Sequence, residues 1–461
     1  MSLRANPPLR RMKRSQPEAG HPLGGNPEIN SGIAASLAEY SSLLAMTKCM
    51  YPSQLLQQIQ QDLSNLKQSG KYKTERFLAS PAGPEVELGG KKVLMFASNN
   101  YLGLANHPEI IAAAKAAADK YGYGLSSVRF ICGTQTMHRE LEKRLAQFLG
   151  VDDAILYSSC FMANLGFFAT ITNESFGASV EHVDAIYSDE LNHASIIDAF
   201  KLVKKGAVEK RIYPHADLAA LDKMLTDDAD KNFRYRFIVS DGVFSMEGEL
   251  APLPELVNLA KKHQALLFVD DAHGTGVLGK TGAGSPEELG VHGQIDVLSG
   301  TLGKALGGAL GGYIAGKQEI VDFLRQKSRT YLFSNSLPPA MVGASLKALD
   351  LLEQDRSLLK RVRENSQYFR ARVSELGFKT LPGIHPIVPI MLGQAKVAQE
   401  MSQKLLEAGL YAVGLWFPVV PEGAARLRIQ ISAAHTREHL DAALAILADT
   451  CRVSIKRMVL V

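Results

Sequence analysis

Between Ala154 and Gly300 five short apolar runs, "AILYSS", "AIYSDE", "RFIVSDG", "ALLFVDDAH" and "IDVLSG", alternate with stretches of helical spacing. Few architectures accept that pattern. Helices between buried apolar strands cover the faces of a sheet, so the alternation predicts βαβ units and a mostly parallel sheet flanked by helices, an α/β fold. In such sheets ligands collect at the carboxyl ends of the strands. Each of these runs ends in polar residues, which is where a site is expected.

The flanking text fills in the rest of a 461-residue chain, too long for one small core. "PSQLLQQIQQDLSNLKQSG", "HPEIIAAAKAAADKYG" and "HRELEKRLAQFLG" have helical apolar spacing and end on glycine stop signals. After about residue 345 come a long charged helix, "PIVPIML", and "ARLRIQIS", whose alternation predicts a half-buried strand. These features divide the chain into an extension (1–48), a helix-and-strand segment (49–100), a large domain (101–345) and a smaller α+β domain (346–461). The extension is rich in Pro, Gly and Asn, lacks a secretory apolar core, and is expected to be mostly disordered. Arg4, Arg10, Arg11 and Arg14 would suit a mitochondrial presequence, but its prolines, glycines, Glu18 and Glu28 do not.

Several function classes are excluded by composition. A net charge of +4 gives no reason to expect nucleic-acid binding. Cys49, Cys132, Cys160 and Cys451 form no C-x-x-C pair, which argues against a disulfide framework or structural zinc and suits a reducing compartment, with a cytoplasmic location expected. No uncharged apolar run is long enough to span a membrane. No H-E-x-x-H or G-x-S-x-G spacing occurs, so neither a metal nor a serine-hydrolase elbow is expected.

"DVLSGTLGKALGG" sets Lys304 among glycines at the end of an apolar run. A P-loop would require glycine at the position of Leu298 and Ser or Thr at the position of Ala305, so that reading fails twice. A covalent role remains, because a lysine amine forms a Schiff base with an aldehyde cofactor. Other strand ends supply matching parts. Asp270, Asp271 and His273 leave one buried strand together; either aspartate would keep a pyridinium nitrogen protonated, although such a pair is also an ordinary helix cap. "LYSSCFMANLG" reads as a strand, a turn and a helix N-terminus, which suits a phosphate. In that turn Cys160 reads as a packing residue rather than a nucleophile. His193 opens a helix where an imidazole would stack on an aromatic ring, Ser245 follows a strand, and Arg426 and Arg428 share one strand face where a guanidinium would grip a carboxylate.

Together these are the parts of a pyridoxal-phosphate site, and the chain resembles a family that has one. "VDDAH" and "SGTLGKALGG", with Asp270 34 residues before Lys304, resemble the α-oxoamine synthases, pyridoxal-phosphate enzymes that join an amino acid to an acyl-CoA. The likeness runs in order over roughly residues 51 to 450 and includes "NNYLGLANHPEII", "LSSVRFICGTQ", "SDELNHASIID", "YLFSNSLPP" and "PVVPEGAARLRIQISAAHT". It implies the fold type I transferase architecture, a homodimer with shared active sites, and condensation of glycine with acetyl-CoA, with alanine and pimeloyl-CoA or a long-chain acyl-CoA as the alternative within the family. By the same resemblance Lys304, His193 and Asp270 are catalytic. Lys304 carries the cofactor, Asp270 meets the ring nitrogen, His273 and Ser245 lie near the ring hydroxyl, and His193 stacks on the ring. Cys160 and Phe161 amides with Thr301 hold the phosphate, Ser334 reaches the neighbouring subunit's cofactor, and Asn99 and Arg428 handle the substrate. Two stretches depart from this branch: "FMANLGFF" is closer to the sphingolipid enzymes and "VDDAHGTGVLG" to the enzyme that joins alanine to pimeloyl-CoA. "NESFGASVEHVDAIYSDE" carries an insertion. Lys71, Lys73 and Arg76 are candidates for the CoA nucleotide, or a solvated helix end.

Overall fold

The computed structural model describes residues 53–69, 71–177 and 182–458. The extension at 1–48 and part of the insertion lie outside the described residues. The chain divides into two units, residues 1–74 and 75–461. The first contains helix α1 (Ser53–Gln68), whose apolar stripe of Leu55, Leu56, Ile59, Leu63 and Leu66 is exposed along its length.

The second unit is built on the expected sheet. After the hairpin β1 (Glu85–Leu88) and β2 (Lys91–Met95) come helices α2 (Pro108–Tyr121) and α3 (Thr136–Leu149). Seven strands follow: β3 (Asp153–Tyr157), β4 (Asp184–Asp189), β5 (Val208–Tyr213), β6 (Arg236–Asp241), β7 (Leu266–Asp270), β8 (Val297–Thr301) and β9 (Gly312–Gly316). They pair in the order β3-β9-β8-β7-β6-β4-β5, all parallel except β9, which runs antiparallel to β3 and β8. Successive residues alternate between two cores. Leu156, Tyr187, Ile238 and Val269 enter one, while Ile155, Ile186, Val239 and Phe268 enter the other. Burial on both faces explains why these strands read as unbroken apolar runs.

Two strands escape the apolar-run pattern. β5 exposes Glu209 and Lys210 at the sheet edge, where charge discourages pairing with other chains. β9 lies in a glycine-rich stretch because backbones meet there: a Cβ on Gly312 would sit 2.1 Å from the Cys160 amide nitrogen. The smaller sheet joins β10 (Ile387–Gly393), β12 (Val413–Leu415) and β13 (Ala425–Gln430) in the order β10-β13-β12, while β11 (Leu410–Tyr411) pairs with β2. β13 differs from the half-buried strand expected: Arg426 and Gln430 are buried along with Leu427 and Ile429, Arg426 under Met246 and Glu247 and Gln430 against Asn99 and Tyr101. The helix Pro339–Gln354 runs without a break through residue 345.

An ion cluster ties helix α3 to the first strand. Glu142, fully buried, receives Arg129 Nη2 at 3.0 Å, Arg325 Nη2 at 2.9 Å and the Leu156 amide at 3.3 Å, while Arg139 and Arg325 also reach Asp153. Truncating Glu142 would leave the buried Arg129 guanidinium without its carboxylate and Arg325 with Asp153, at 3.5 Å, as its nearest one. Glu142→Ala is expected to destabilise the fold by ~3–5 kcal/mol, read from urea denaturation, with no change in the site chemistry of the protein that folds.

Candidate active site

The carboxyl ends of β3, β4, β6, β7 and β8 lie along one edge of the sheet, and a cavity of about 600 Å³, its open mouth included, is cut into that edge. Seven sequence-predicted residues line it: Lys304, Asp270, His273, His193, Cys160, Phe161 and Thr301. Each comes from a strand end or the turn after one. Lys304 follows β8 in a loop whose Gly307, at φ +105, takes a backbone conformation that side chains disfavour.

The sheet register decides between the paired aspartates. Asp270 ends β7, level with Asp241 on β6 and Ser299 on β8, and lines the cavity. Its Oδ2 accepts from Asn164 Nδ2 at 2.6 Å and its Oδ1 from the Ala272 amide at 3.0 Å. Asp271 turns instead into the following loop, accepting from Ser285 Oγ at 2.5 Å and Thr275 Oγ1 at 2.9 Å, and burial pushes its carboxyl up to about 7. Among the described residues neither Asp270 nor Lys304 has an opposite charge within ion-pair distance. Burial pulls the Lys304 amine below its usual value, opposed by the nearby Asp270 carboxylate.

The turn after β3 makes an anion-binding end. Ser159 caps helix α4 (Cys160–Ile171) by accepting from the Met162 amide, and the first amides of a helix have no intrahelical acceptor. The Thr301 hydroxyl accepts from the Gly303 amide at 3.0 Å and donates to the Gly311 carbonyl at 3.2 Å. The Cys160 thiol is raised well above its ordinary value, first by burial and then by Asp270, so it stays protonated beside the cavity.

Asn99 and Arg428 do not line the cavity and connect to it through Tyr101, whose hydroxyl lies 3.3 Å from Asn99 Oδ1. Arg428 Nη2 donates to Asn99 Oδ1 at 2.9 Å, Gln430 Nε2 donates to the same oxygen, and the Tyr101 hydroxyl lies 2.8 Å from His273 Nδ1. Burial, followed by the Lys304 and Arg428 charges, drives His273 well below its usual pKa, so its ring is neutral. The two arginines of β13 have different partners. Arg426 pairs with Glu247 at 2.9 Å, whereas Arg428 has no carboxylate within ion-pair distance among the described residues.

Besides Asn99 and Arg428, two further expected residues, Ser245 and Ser334, are not among those lining this cavity. Ser245 is buried in the turn after β6. Ser334 lines a separate cleft with Arg129, Tyr157 and Asn335. Sequence reasoning missed Asp241, Asn164 and Ser195. Asp241 ends "RFIVSD" as Asp270 ends "LLFVD", and Asn164 stands one helical turn after Cys160, so both carried a readable signal. Asp241, fully enclosed, is held well above the carboxylate range by burial and by its neighbour Asp270.

Comparison with known proteins agrees with this geometry. Residues 91–447 match the family described as aminotransferase class I and II. The chain is 48% identical over 389 residues to 2-amino-3-ketobutyrate coenzyme A ligase of Escherichia coli K12, covering 84% of this chain and 95% of that protein. It is 44% identical to 8-amino-7-oxononanoate synthase of Thermoanaerobacter pseudethanolicus, covering 84% and 94%. Among solved structures, serine palmitoyltransferase from S. paucimobilis with a bound PLP–myriocin aldimine superposes with a TM-score of 0.79 at 30% identity, covering 87% of this chain and 99% of that one. The chain therefore belongs to the class I and II aminotransferase family, in its α-oxoamine synthase branch.

Proposed function

We propose that the protein is a pyridoxal-phosphate-dependent acyltransferase that joins glycine to the acetyl group of acetyl-CoA, giving 2-amino-3-oxobutanoate and free CoA. The observation that carries this reading is the presence in one cavity of Lys304 and Asp270, two enclosed ionisable side chains with no opposite charge at ion-pair distance among the described residues. Enclosing an unpaired charge is costly. Lys304 would bond to the aldehyde of the cofactor and Asp270 would hold the proton of its ring nitrogen, while the α4 amides and Thr301 would take its phosphate. When bound, pyridoxal phosphate supplies an electron sink for the bond being made at the amino-acid Cα.

The chain's own residues then do the positioning and proton transfer. Arg428, oriented by Asn99, holds the substrate carboxylate in a bidentate grip. The Lys304 amine, shifted by burial toward its neutral form, removes the Cα proton. His193 faces the same cavity and donates from its ring to the oxygen that gains charge as the thioester carbonyl is attacked. The 48% identity to a 2-amino-3-ketobutyrate ligase supports glycine and acetyl-CoA. The 44% identity to an 8-amino-7-oxononanoate synthase supports a second reading, alanine with pimeloyl-CoA.

We further propose a homodimer. Phe130, Ile131 and Phe333 are each more than 60% exposed, and the bridge Val128–Asn335 brings their segments together around Ser334. An apolar cluster of this kind suits an interface.

Release of CoA thiol from acetyl-CoA is expected to require glycine, measured with a thiol reagent on the cofactor-loaded protein. Release that needs alanine and pimeloyl-CoA instead would select the second reading. Lys304→Ala is expected to abolish turnover and the borohydride-trapped bond to the cofactor. Asp270→Asn should cost at least ~3 kcal/mol of barrier, a loss of more than about 100-fold in kcat, while Asp271→Asn acts on thermal stability instead. Arg428→Lys keeps the charge but not the fork, and its KM for glycine should rise about tenfold to a hundredfold. Sedimentation velocity should give twice the 50.1 kDa chain mass; a monomer carrying full activity would rule out the shared site.

A further inference from the structure

Asn164 is fully buried on α4 and donates both hydrogens of its Nδ2, to Asp270 Oδ2 at 2.6 Å and to Ser195 Oγ at 2.8 Å. Its Oδ1 is enclosed without a partner among the described residues. Turning the amide over would set that oxygen against the Asp270 carboxylate, so the repulsion fixes the orientation seen. Ser195, in helix α5 (Ala194–Ala199), must then accept from Asn164 and direct its own proton to His193 Nδ1, 2.8 Å away. The Ser195 amide also points at Nδ1, at 3.2 Å. With two donors aimed at it, Nδ1 has to be the unprotonated nitrogen, and the ring proton sits on Nε2.

We propose that Asn164 and Ser195 are positioning residues: Asp270 fixes the Asn164 amide, Asn164 fixes the Ser195 hydroxyl, and Ser195 holds the His193 imidazole as the neutral Nε2–H tautomer, a hydrogen-bond donor in the cavity. The inference rests on the reading of the site as the acyltransferase centre, and it adds that the acid facing the cofactor ring and the donor facing the substrate oxygen are two ends of one hydrogen-bonded chain. A proton added to Nδ1 would meet two donors, so the chain opposes the imidazolium. Burial acts in the same direction on His193, and the Lys304 charge adds to it while Asp270 opposes it. The other titratable groups around this ring are Asp241, whose Oδ1 accepts the His193 amide at 3.2 Å, and Cys160 and His273 on the cavity wall.

The test is nitrogen NMR of holoenzyme labelled with ¹⁵N-histidine. His193 is expected as the Nε2–H tautomer near neutral pH in the parent protein. In Asn164→Ala the Ser195 hydroxyl is free to turn and accept, leaving the Ser195 amide as the one donor of the pair still aimed at Nδ1, so the apparent pKa of His193 should rise. The acid limb of the kcat/KM profile should move with it. Ser195→Ala should lower kcat by about tenfold to a hundredfold with KM for glycine nearly unchanged, and Ser195→Thr, which keeps the hydroxyl, should recover most of that loss. An unaltered His193 pKa in Asn164→Ala overturns the proposal whatever happens to the rate. A Ser195→Thr enzyme as slow as Ser195→Ala overturns the part given to the hydroxyl. The NMR readout uses no substrate, so a protein that failed to use glycine would leave this result standing on its own.

Discussion

Asp270 stands at the end of a central strand, accepting from Asn164, the Ala272 amide and, at 3.7 Å, the Cys160 thiol, with no cation at ion-pair distance among the described residues. Enclosing a carboxylate in this way is unfavourable unless polar neighbours replace the water it has lost. The surrounding structure is arranged to supply them. The sheet register sets Asp270 level with Asp241 and Ser299, so polar groups gather where the apolar strands run out. Helix α4 begins beside it, bringing Asn164 within 2.6 Å one turn in. The loop after β8 returns Lys304 to the same space. Each group gains its unusual environment from the others, and removing one alters the rest.

Stability is organised elsewhere. The Glu142 cluster joins α3, β3 and the helix Gln318–Lys327 on the flank of the sheet, with its charges matched inside the fold. The phenylalanines of the second core, with Phe167 and Phe168 within 5 Å of Phe268, fill the face on which α4 rests. The strand that ends in Asp270 is thus fixed by packing along its length and left polar only at its tip. A rigid support of this kind suits a site in which small displacements of the reacting groups cost rate.

Much of this was legible in the sequence because burial on both faces leaves a simple signature. The five apolar runs became β3, β4, β6, β7 and β8, and their ends or the turns after them line the cavity. β5 was not legible, since an edge strand carries charge and resembles a surface loop, and β9 was hidden in glycines selected by the backbone of α4. The choice of Asp270 over Asp271 by residue pattern alone was equally out of reach: it depends on Ser285 and Thr275, whose hydroxyls engage the second carboxylate. Arg428 and Asn99 are 329 residues apart, so only the fold brings them into contact. Helix α3 begins two residues earlier than its apolar spacing, because the His138 side chain accepts from the Gln135 amide ahead of the first turn.

The two arginines of β13 differ in the charge they leave unmatched. They stand two residues apart on the face that meets Met246 and Glu247, and one of them is neutralised in place by Glu247. The strand therefore presents a single unmatched positive charge where two are written in its sequence. Under the proposed role of Arg428, a ligand with one carboxylate would find its complement there, whereas the second charge of a dicarboxylate would face the closed Arg426–Glu247 pair.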